Sequence, residues 1–367
     1  MAKYFIIAGE ASGDQHAAAL IAQIRQRDSN AQIAGLGGDR MAAAGCRIYR
    51  HIRHMAFMGF VAVVRRWRDV RENFRIAREA LLGEKPDVLV LIDYPSFNLQ
   101  MAAFCRRCLP QTKIVYYIPP KVWAWKKRRI HKIAHLCDHV LGIFPFEPAF
   151  YAQYGYFCEY VGHPTVEAID KISNHQSSIT SSIVLLPGSR PGEITNCLPT
   201  MLEAARRFPN YRLTVCAAPG IEDSFYAAYL REGETLTRNT YEAVQSATAA
   251  IVNSGTATLE TALLGCPQVA VYHLACPWFF ALNRWWLQPA LFSIPYFTPV
   301  NIIAGKQIIK ECVANDFTVE KVAAELARLL TDEAYKKEVL ASYEHLSSLL
   351  GPQPASVKAA EIITSIP

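Results

Sequence analysis

Short apolar runs recur along the chain, separated by glycine, proline and polar residues. Bounded apolar runs of this kind are typical of strands that are buried in a parallel sheet. They predict strands at Lys3–Ala8, Ala31–Leu36, Asp87–Asp93, Lys113–Ile118, His139–Phe144, Ile183–Leu186, Tyr211–Ala217, Ala249–Val252 and Gln268–Tyr272. Helical segments alternate with these runs, and this alternation predicts an α/β fold with parallel sheets.

A polar stretch, Ser173–Ser182, interrupts the alternation. It is rich in Ser, Asn and Gln, and a new strand begins directly after it, so it predicts a domain boundary. The 367 residues suffice for two domains of ordinary size, and a hydrophobic content of 51% gives each domain a core. We therefore predict an N-terminal domain over residues 1–168 and a second domain over residues 169–339.

Turn residues and longer periodic segments predict the remaining elements. Gly9–Asp14 predicts a tight turn before a helix that runs to about Arg27. Pro299–Gly305 predicts a loop, with Glu311 on the helix after it. Two helices are predicted near the C-terminus, from about Val319 to Ala341 and from Pro354 to Ile366.

Composition and charge narrow the class of protein. Ten cysteines in a chain of this length do not make a disulfide scaffold, and the C-x-x-C of Cys105 and Cys108 has no second pair, so we interpret it as helix spacing. The net charge of +6 fits solubility, an anionic substrate or an anionic membrane surface. We find neither a secretory signal nor an apolar run of about 18 residues, and we therefore expect a cytosolic protein, with attachment to a membrane surface left open.

The stretch Ala249–Leu264 combines a buried strand, a Ser-Gly-Thr turn and a helix. Ser254 or Thr256 can cap the helix, and Gly255 lets the backbone approach a ligand closely. The helix start points free N–H groups and a positive dipole end at an anion such as a phosphate. Glu260 lies one turn after Thr256, where a carboxylate could bind both hydroxyls of a ribose. These features indicate a nucleotide site, and an ordinary strand–helix connection is the alternative.

Three further polar residues lie where predicted strands end, which is where ligands bind in open α/β sheets. Asp93 ends its strand and is placed for chemistry. Glu10 lies in the first turn, which lacks the G-x-G-x-x-G pattern and suits sugar hydroxyls better than a pyrophosphate. Arg190 lies at the start of the second α/β half, where a guanidinium suits a bidentate contact with a phosphate or carboxylate.

His51–Arg71 places Met58 and Phe60 among five arginines. Such a basic segment with methionine and aromatic residues can lie in a membrane interface or cover an acyl chain. A helix that packs its apolar face on the core is the alternative. The aromatic-rich segment His273–Phe297 is broken by prolines, and we interpret it as either a lipid-facing surface or packing.

Trp123 and Trp125 belong to a rigid aromatic turn that precedes the basic run Lys126–Arg129. This combination could bind a phosphate. A charge run of this kind is more often a solvated helix face, and that alternative stays open.

A set of short motifs follows one order over nearly the whole chain. They are Gly9-Glu10-Ala11-Ser12-Gly13-Asp14, Met58-Gly59, Ile92-Asp93 with Pro95 and Phe97-Asn98, Val122-Trp123-Ala124-Trp125, Phe144-Pro145-Phe146-Glu147, Gly162-His163-Pro164, Leu186-Pro187-Gly188-Ser189-Arg190, Ser254-Gly255-Thr256-Ala257 with Glu260, and Asn301 with Gly305. Each motif alone is weak, but together they are highly specific. In these motifs the chain resembles the lipid-A-disaccharide synthase family.

The resemblance implies a GT-B glycosyltransferase, with two Rossmann-like domains facing a cleft and residues 340–367 crossing back to the first domain. The implied reaction joins UDP-2,3-diacylglucosamine and 2,3-diacylglucosamine 1-phosphate (lipid X) into the β-1,6-linked lipid A disaccharide 1-phosphate and releases UDP. The implied location is the cytoplasmic face of the inner membrane of a Gram-negative bacterium, by peripheral association. No cofactor and no nucleic-acid partner are implied, and the C-terminal helices could also join two chains in a homodimer.

The resemblance, taken with the residues, also assigns candidate roles. Asp93 is the candidate base, and Glu10 would position the acceptor or the base. The predicted ligands of the UDP donor are Arg190, Ser254, Gly255, Thr256, Glu260 and Asn301. The predicted contacts of the acceptor and its acyl chains are Met58, Phe60, Trp123, Trp125, Lys126 and Arg129. The sequence has no Asp-x-Asp, so we expect no metal ion, and the leaving UDP would be stabilised by an arginine and helix N–H groups.

Two positions depart from the family pattern. Ser96 stands where the family often has a second Asp, and His273 stands where it usually has Lys or Arg, so neither role is carried over. One alternative function is another UDP-sugar enzyme of the same fold, such as a UDP-N-acetylglucosamine transferase or epimerase, although Glu10 replaces the Gly-rich first turn of the cell-wall transferase. The other is a non-catalytic nucleotide-binding or membrane-scaffold protein, in which Asp93 would be dispensable.

Overall fold

The structure, a computed structural model, describes residues 1–55, 67–124, 126–170, 179–274 and 295–366. The chain forms two compact units, each with its own parallel sheet. One unit comprises Met1–Pro164 and Gln353–Pro367, and the other comprises Thr165–Pro352. The units divide the chain after Pro164 and after Pro352, whereas the predicted domains divide it after residues 168 and 339.

Seven parallel strands form the sheet of the first unit, in the order β3-β2-β1-β4-β5-β6-β7. The strands are β1 Lys3–Ala8, β2 Gln32–Gly37, β3 Arg47–His51, β4 Val88–Ile92, β5 Lys113–Tyr117, β6 His139–Gly142 and β7 Glu159–Tyr160. Every residue of β4 is buried, and so is every residue of β1 after Lys3. Burial on both faces explains why these strands are continuous apolar runs rather than alternating patterns.

Six helices with described bounds follow strands of this sheet in sequence. They are α1 Ala11–Arg27, α2 Asp39–Ala43, α3 Trp67–Glu84, α4 Pro95–Cys108, α5 Arg129–Leu136 and α6 Glu147–Ala152. The tight turn predicted at Gly9–Asp14 is wrong beyond its first two residues, because α1 begins at Ala11. The Glu10 carbonyl accepts the Asp14 N–H at 2.9 Å, which makes Ala11–Asp14 the first helical turn.

Six parallel strands form the sheet of the second unit, in the order β10-β9-β8-β11-β12-β13. The strands are β8 Thr180–Leu186, β9 Arg212–Cys216, β10 Thr235–Thr237, β11 Ala247–Asn253, β12 Gln268–Tyr272 and β13 Lys310–Val313. The central strand β11 ends at the Ser-Gly-Thr turn, as the apolar run Ala249–Val252 predicts. Two parallel sheets of this kind confirm the predicted α/β class.

The other α-helices with described bounds are α7 Pro164–Asp170, α8 Pro191–Ala205, α9 Asp223–Ala227, α10 Thr240–Ser246, α11 Thr256–Leu263, α12 Pro299–Ala304, α13 Val319–Thr331, α14 Glu333–Leu350 and α15 Ala355–Thr364. The last of them, α15, belongs to the first unit and contacts α1 there. The long helix predicted from Val319 to Ala341 is two helices. Asp332 separates them because its carboxylate accepts the Tyr335 N–H at 3.0 Å and so caps α14.

Two predictions between β12 and α13 are wrong. Pro299–Ala304 is a helix rather than a loop, and the Thr298 hydroxyl caps it by accepting the Asn301 N–H at 3.3 Å. Gly305 ends this helix with φ +66, a left-handed conformation that favours glycine. Glu311 lies on strand β13 rather than on a helix, paired in register with Ala270 of β12.

Candidate active site

A pocket of about 450 Å³ lies at the carboxyl ends of β8, β9 and β11 in the second unit. Ligands bind at this edge in sheets of this type. Five of the six residues predicted to bind the UDP donor line the pocket, namely Arg190, Ser254, Gly255, Thr256 and Glu260. The structure therefore brings together residues from two segments that lie far apart in the sequence.

Arg190 is held beside this pocket by Glu193. The arginine Nη1 donates to Glu193 Oε1 at 2.7 Å, and Oε2 of the same carboxylate accepts the Ser189 N–H at 3.0 Å. The loop also needs Gly188, since its φ is +119 and a Cβ there would lie 2.7 Å from Asn253 Nδ2. The Arg190 side chain keeps 56% of its surface exposed, so a bound anion can reach the guanidinium.

Helix α11 starts at the pocket without a side-chain cap. The predicted capping by Ser254 or Thr256 is wrong, because the N-cap is Gly255 and no hydrogen bond from a side chain caps this end. The Ser254 hydroxyl donates to the Phe297 carbonyl at 3.4 Å instead, and Thr256 is the first helical residue. The Thr258 N–H already donates to the Gly255 carbonyl at 3.1 Å, and no side chain of the described residues competes with an anion for the N–H groups of Thr256 and Ala257 at the helix start.

Glu260 lines the same pocket from the second turn of α11. Burial raises the pKa of its carboxyl group, and a hydrogen bond from Tyr241 partly offsets this effect. The Tyr241 hydroxyl donates to Glu260 Oε1 at 3.4 Å from the neighbouring helix α10. Tyr241 was not predicted, since nothing in its own segment indicates a partner on another helix.

Asn301 has a place that differs from the predicted donor contact. Its side chain is fully buried and accepts the N–H groups of Ile308 at 2.8 Å and Ile309 at 3.0 Å. Its amide nitrogen donates to the Ile309 carbonyl and to Glu311 Oε1, both at 2.9 Å. The Asn301 side chain therefore fixes the connection between α12 and β13. The UDP donor substrate could reach this side chain only after the connection rearranges.

Asp93 directly follows β4 in the first unit, with a left-handed φ of 44°. Asp93 is an exposed residue, although neighbouring protein shields its carboxyl group from part of the solvent. This burial raises the pKa of Asp93, and the positive charge of Lys121 and a backbone hydrogen bond from Tyr94 partly offset the effect. Lys121 was not predicted, although it also follows a strand end, in the turn after β5.

Glu10 lies at the same edge of the sheet as Asp93. It is the N-cap residue of α1, two residues after β1 ends at Ala8, and Ala8 pairs in register with Ile92 of β4. The pKa of the Tyr94 phenol is raised mainly by burial, and the negative charge of Glu10 raises it further. The structure therefore places the two predicted catalytic carboxylates on adjacent strand ends.

Trp123 is buried, which differs from the predicted contact with the acceptor. Its indole N–H donates to Glu147 Oε1 at 3.1 Å, and its ring meets Phe144 and Phe146 edge-on. Glu147 also accepts the N–H groups of Ile143 at 2.9 Å and Phe144 at 3.0 Å. Burial raises the pKa of Glu147 to about 7, although these three hydrogen bonds partly lower it. The aromatic motif therefore packs inside the first unit, in the segments that follow β5 and β6.

The basic run leads into α5 close to the start of α4, the helix that follows Asp93. Arg129 is the first residue of α5, and its Nη2 donates to the Ser96 hydroxyl at 3.4 Å. Lys126 precedes it, exposed and with a φ of 54°. The other predicted acceptor residues, Met58, Phe60 and Trp125, lie outside the described residues, as does most of His273–Phe297.

Solved structures with a similar fold include enzymes that act on nucleotide sugars. A UDP-GlcNAc 2-epimerase from Neisseria meningitidis bound to UDP-GlcNAc aligns with a TM-score of 0.66 at 10% identity, covering 99% of this chain and all of the other. The calicheamicin glycosyltransferase CalG4 aligns with a TM-score of 0.58 at 14% identity, covering 100% and 98% of the two chains. These likenesses confirm two Rossmann-like domains of the GT-B type.

Sequence comparison is more specific than the fold. The family model described as lipid-A-disaccharide synthetase matches residues 4–364. The lipid-A-disaccharide synthase of Trichlorobacter lovleyi is 33% identical, covering 99% of this chain and 97% of the relative. That of Syntrophus aciditrophicus is 34% identical, covering 97% and 95%. With a match of this extent, the chain belongs to the lipid-A-disaccharide synthase family.

Proposed function

We propose that this protein transfers 2,3-diacylglucosamine from its UDP derivative to the 6-hydroxyl of 2,3-diacylglucosamine 1-phosphate. The products are the β-1,6-linked disaccharide 1-phosphate and UDP. The observation that carries the proposal is one pocket in which Arg190, the uncapped start of α11 and Glu260 meet, in a chain of this family. A cation, the N–H groups of a helix start and a half-buried carboxylate match the diphosphate and the ribose of a UDP donor.

The transfer forms one bond and breaks another at the donor sugar carbon. The acceptor oxygen attacks this carbon from the face opposite UDP, so the configuration inverts. Asp93 takes the hydroxyl proton as the general base, and Glu10 positions the acceptor or the base. The bonding pair of the departing C–O bond leaves with UDP, whose developing negative charge is stabilised by the Arg190 guanidinium and the α11 N–H groups.

Omission of one substrate at a time tests this function. Purified protein would be incubated in detergent with EDTA, with the UDP-sugar alone, with both lipids, and again with added magnesium. We expect UDP release only when both lipids are present, and equally with EDTA. UDP release from the donor alone, or a changed sugar without release, would favour the alternative UDP-sugar enzymes, and UDP binding without turnover would favour a non-catalytic protein.

The pH dependence of the reaction should show how the positive charge of Lys121 affects the pKa of Asp93. Only the ionised carboxylate accepts a proton, so burial, which raises the pKa of Asp93, moves the acid limb of kcat/KM above the usual range of an aspartate. Removal of the Lys121 charge in Lys121→Met should raise this pKa further and move the limb to higher pH. Lys132→Met, an exposed lysine on α5, is the control. An acid limb that is identical in wild type and Lys121→Met would contradict the influence of the Lys121 charge on Asp93.

The acceptor phosphate is proposed to bind at Lys126 and Arg129. Arg129 contacts Ser96, the second residue of α4, at 3.4 Å, only three residues after Asp93. A phosphate held by two cations at this point would bring the rest of the acceptor toward the base. Ser96 takes the place of a second carboxylate, so it adds no negative charge that would repel this phosphate.

The acyl chains are proposed to contact Met58 and Phe60, and the protein to associate with the cytoplasmic face of the inner membrane. Each buried CH₂ contributes about 0.8 kcal/mol, so even a short length of acyl chain would matter. We expect Met58→Glu to raise KM for the lipids several-fold and to reduce vesicle binding, while the Kd for UDP stays unchanged. Unchanged lipid turnover would mean that this segment is ordinary packing.

The described part of the chain has no helix with the length and apolar character needed to cross a membrane. A homodimer through the C-terminal helices is a further part of the proposal. Analytical ultracentrifugation of the purified protein would detect the homodimer as a doubled mass.

A further inference from the structure

Two neighbouring strands end in an unusual backbone conformation at the candidate base. Asp93 and Tyr94 follow β4 with φ angles of 44° and 46°, and Ile118 follows β5 with a φ of 59°. Residues other than glycine rarely adopt the left-handed region, and a β-branched residue such as isoleucine does so least of all. Such strain persists only where the surrounding structure enforces it, and it is concentrated at functional sites.

The backbone of Asp93 is held by three hydrogen bonds. The Tyr116 hydroxyl donates to the Asp93 carbonyl at 2.8 Å, and the Asn98 amide donates to the same oxygen at 2.7 Å. The Asp93 N–H donates in turn to the carbonyl of the strained Ile118 at 3.2 Å. The N–H and the carbonyl of Asp93 are therefore both held, and with them the direction in which its Cα–Cβ bond leaves the backbone.

Tyr94 is constrained at both ends of its side chain. Its ring covers Gly9, where a Cβ would lie only 2.3 Å from two ring carbons. Its hydroxyl donates to the Met55 carbonyl at 2.8 Å. A rotation of Tyr94 that relaxed the strained backbone of Asp93 and Tyr94 would break the hydrogen bond to Met55 and the packing on Gly9.

We propose that Tyr116 and Asn98 are positioning residues, which hold Asp93 in its left-handed conformation and thereby aim the base at the acceptor hydroxyl. Both side chains are fully buried, so neither can touch a substrate. The inference rests on the proposed role of Asp93 as the base. A base displaced by about 1 Å loses about 10²-fold in rate, which makes its orientation a sensitive quantity.

Tyr116→Phe tests the inference with the smallest change. It removes one hydroxyl, while the Asn98 amide still satisfies the Asp93 carbonyl, so the fold should be retained. Tyr151→Phe is the matched control, because Tyr151 is buried in the same core and its hydroxyl has no hydrogen-bond partner among the residues that the structure describes. Each change would be made in the wild type and in Asp93→Ala, with kcat, both KM values, the Kd for UDP and the melting temperature measured.

We expect Tyr116→Phe to lower kcat about 10- to 100-fold in the wild type, with the Kd for UDP unchanged. In Asp93→Ala it should have no further effect on the residual rate, because it acts through Asp93. Tyr151→Phe should stay within about twofold in both backgrounds.

Wild-type kcat in Tyr116→Phe, or an equal loss in both backgrounds, would overturn the inference. If Asp93→Ala itself retains full turnover, the assignment of the base fails, and that result is separate from the effect of Tyr116. If Tyr116→Phe no longer melts cooperatively, Asn98→Ser replaces it, because it removes the other hydrogen-bond donor to the Asp93 carbonyl. Wild-type kcat in Asn98→Ser, or an equal loss in both backgrounds, would then overturn the inference.

Discussion

Asp93→Ala is expected to lower kcat by about 10²- to 10⁴-fold, the range that a positioned general base contributes. Without the carboxylate, water has to take the proton from the acceptor hydroxyl while the new bond forms. The Kd for UDP should not change, because the donor residues lie in the pocket of the second unit. Steady-state kinetics with both lipids, together with titration calorimetry of UDP, measures both quantities.

Asp87→Asn is the control for this prediction. Asp87 precedes β4 as Asp93 follows it, and it is exposed, accepting the Lys3 N–H at 2.8 Å at the opposite edge of the sheet. It should leave kcat within about twofold. Turnover in Asp93→Ala that equals the turnover of the control would remove Asp93 as the base, whatever the product of the reaction is.

Arg190→Ala is expected to lower kcat/KM for the donor by about 10²- to 10³-fold, as the loss of one donor to a developing oxyanion does. The guanidinium lies beside the α11 start, and Glu193 already holds it in place, so its hydrogen bonds to the diphosphate need little reorganisation. The loss should appear in kcat as well as in UDP binding, because negative charge grows on UDP as it leaves.

Arg207→Ala is the matched control on the same helix. Arg207 lies just beyond the end of α8, as Arg190 lies at its start, and it pairs with Glu320 at 3.0 Å on the surface. An exposed ion pair contributes about 0–1 kcal/mol to stability, so this change should leave the kinetics unaltered. If the two variants behave alike, Arg190 does not contact the leaving group.

The strand–helix framework could be predicted because buried parallel strands are apolar on both faces. The apolar runs that predict β1, β4, β11 and β12 can be recognised without knowing which strand each one pairs with. Polar residues that follow such strands lie at the ligand-binding edge of the sheet. Asp93 could be found in this way, whereas Glu260 was found by its spacing of one helical turn from Thr256. The Lys310–Val313 strand β13 could not, because a short sheet-edge strand with charged residues lacks the apolar signal.

Proline and glycine caused the error at α12. They normally interrupt helices, and so Pro299–Gly305 predicts a loop. In the structure the same residues stand at the positions where helices favour them, with proline at the first helical position and glycine directly after the last. Thr298 was the sequence signal for a helix start, because a threonine at the N-cap can accept the N–H of the residue three positions later, here Asn301.

The partners within the site could not be predicted, because they come from distant segments. Tyr116 donates to a carbonyl 23 residues away, and Trp123 is buried against a carboxylate 24 residues away. An aromatic residue in an active-site motif is equally compatible with a ligand contact and with the core. The sequence pattern therefore indicated the edge of the sheet where the chemistry lies, and the packing decides which side chains face a substrate.

Identification of the product tests the central claim most directly. The wild-type protein would be incubated with UDP-2,3-diacylglucosamine and 2,3-diacylglucosamine 1-phosphate, and the lipid product analysed by mass spectrometry and by NMR of its anomeric proton. We predict a disaccharide 1-phosphate with a β-1,6 linkage, formed in equal amount with UDP. An α linkage would contradict inversion by a single base, and the absence of any disaccharide from folded protein that binds UDP would contradict the transferase itself.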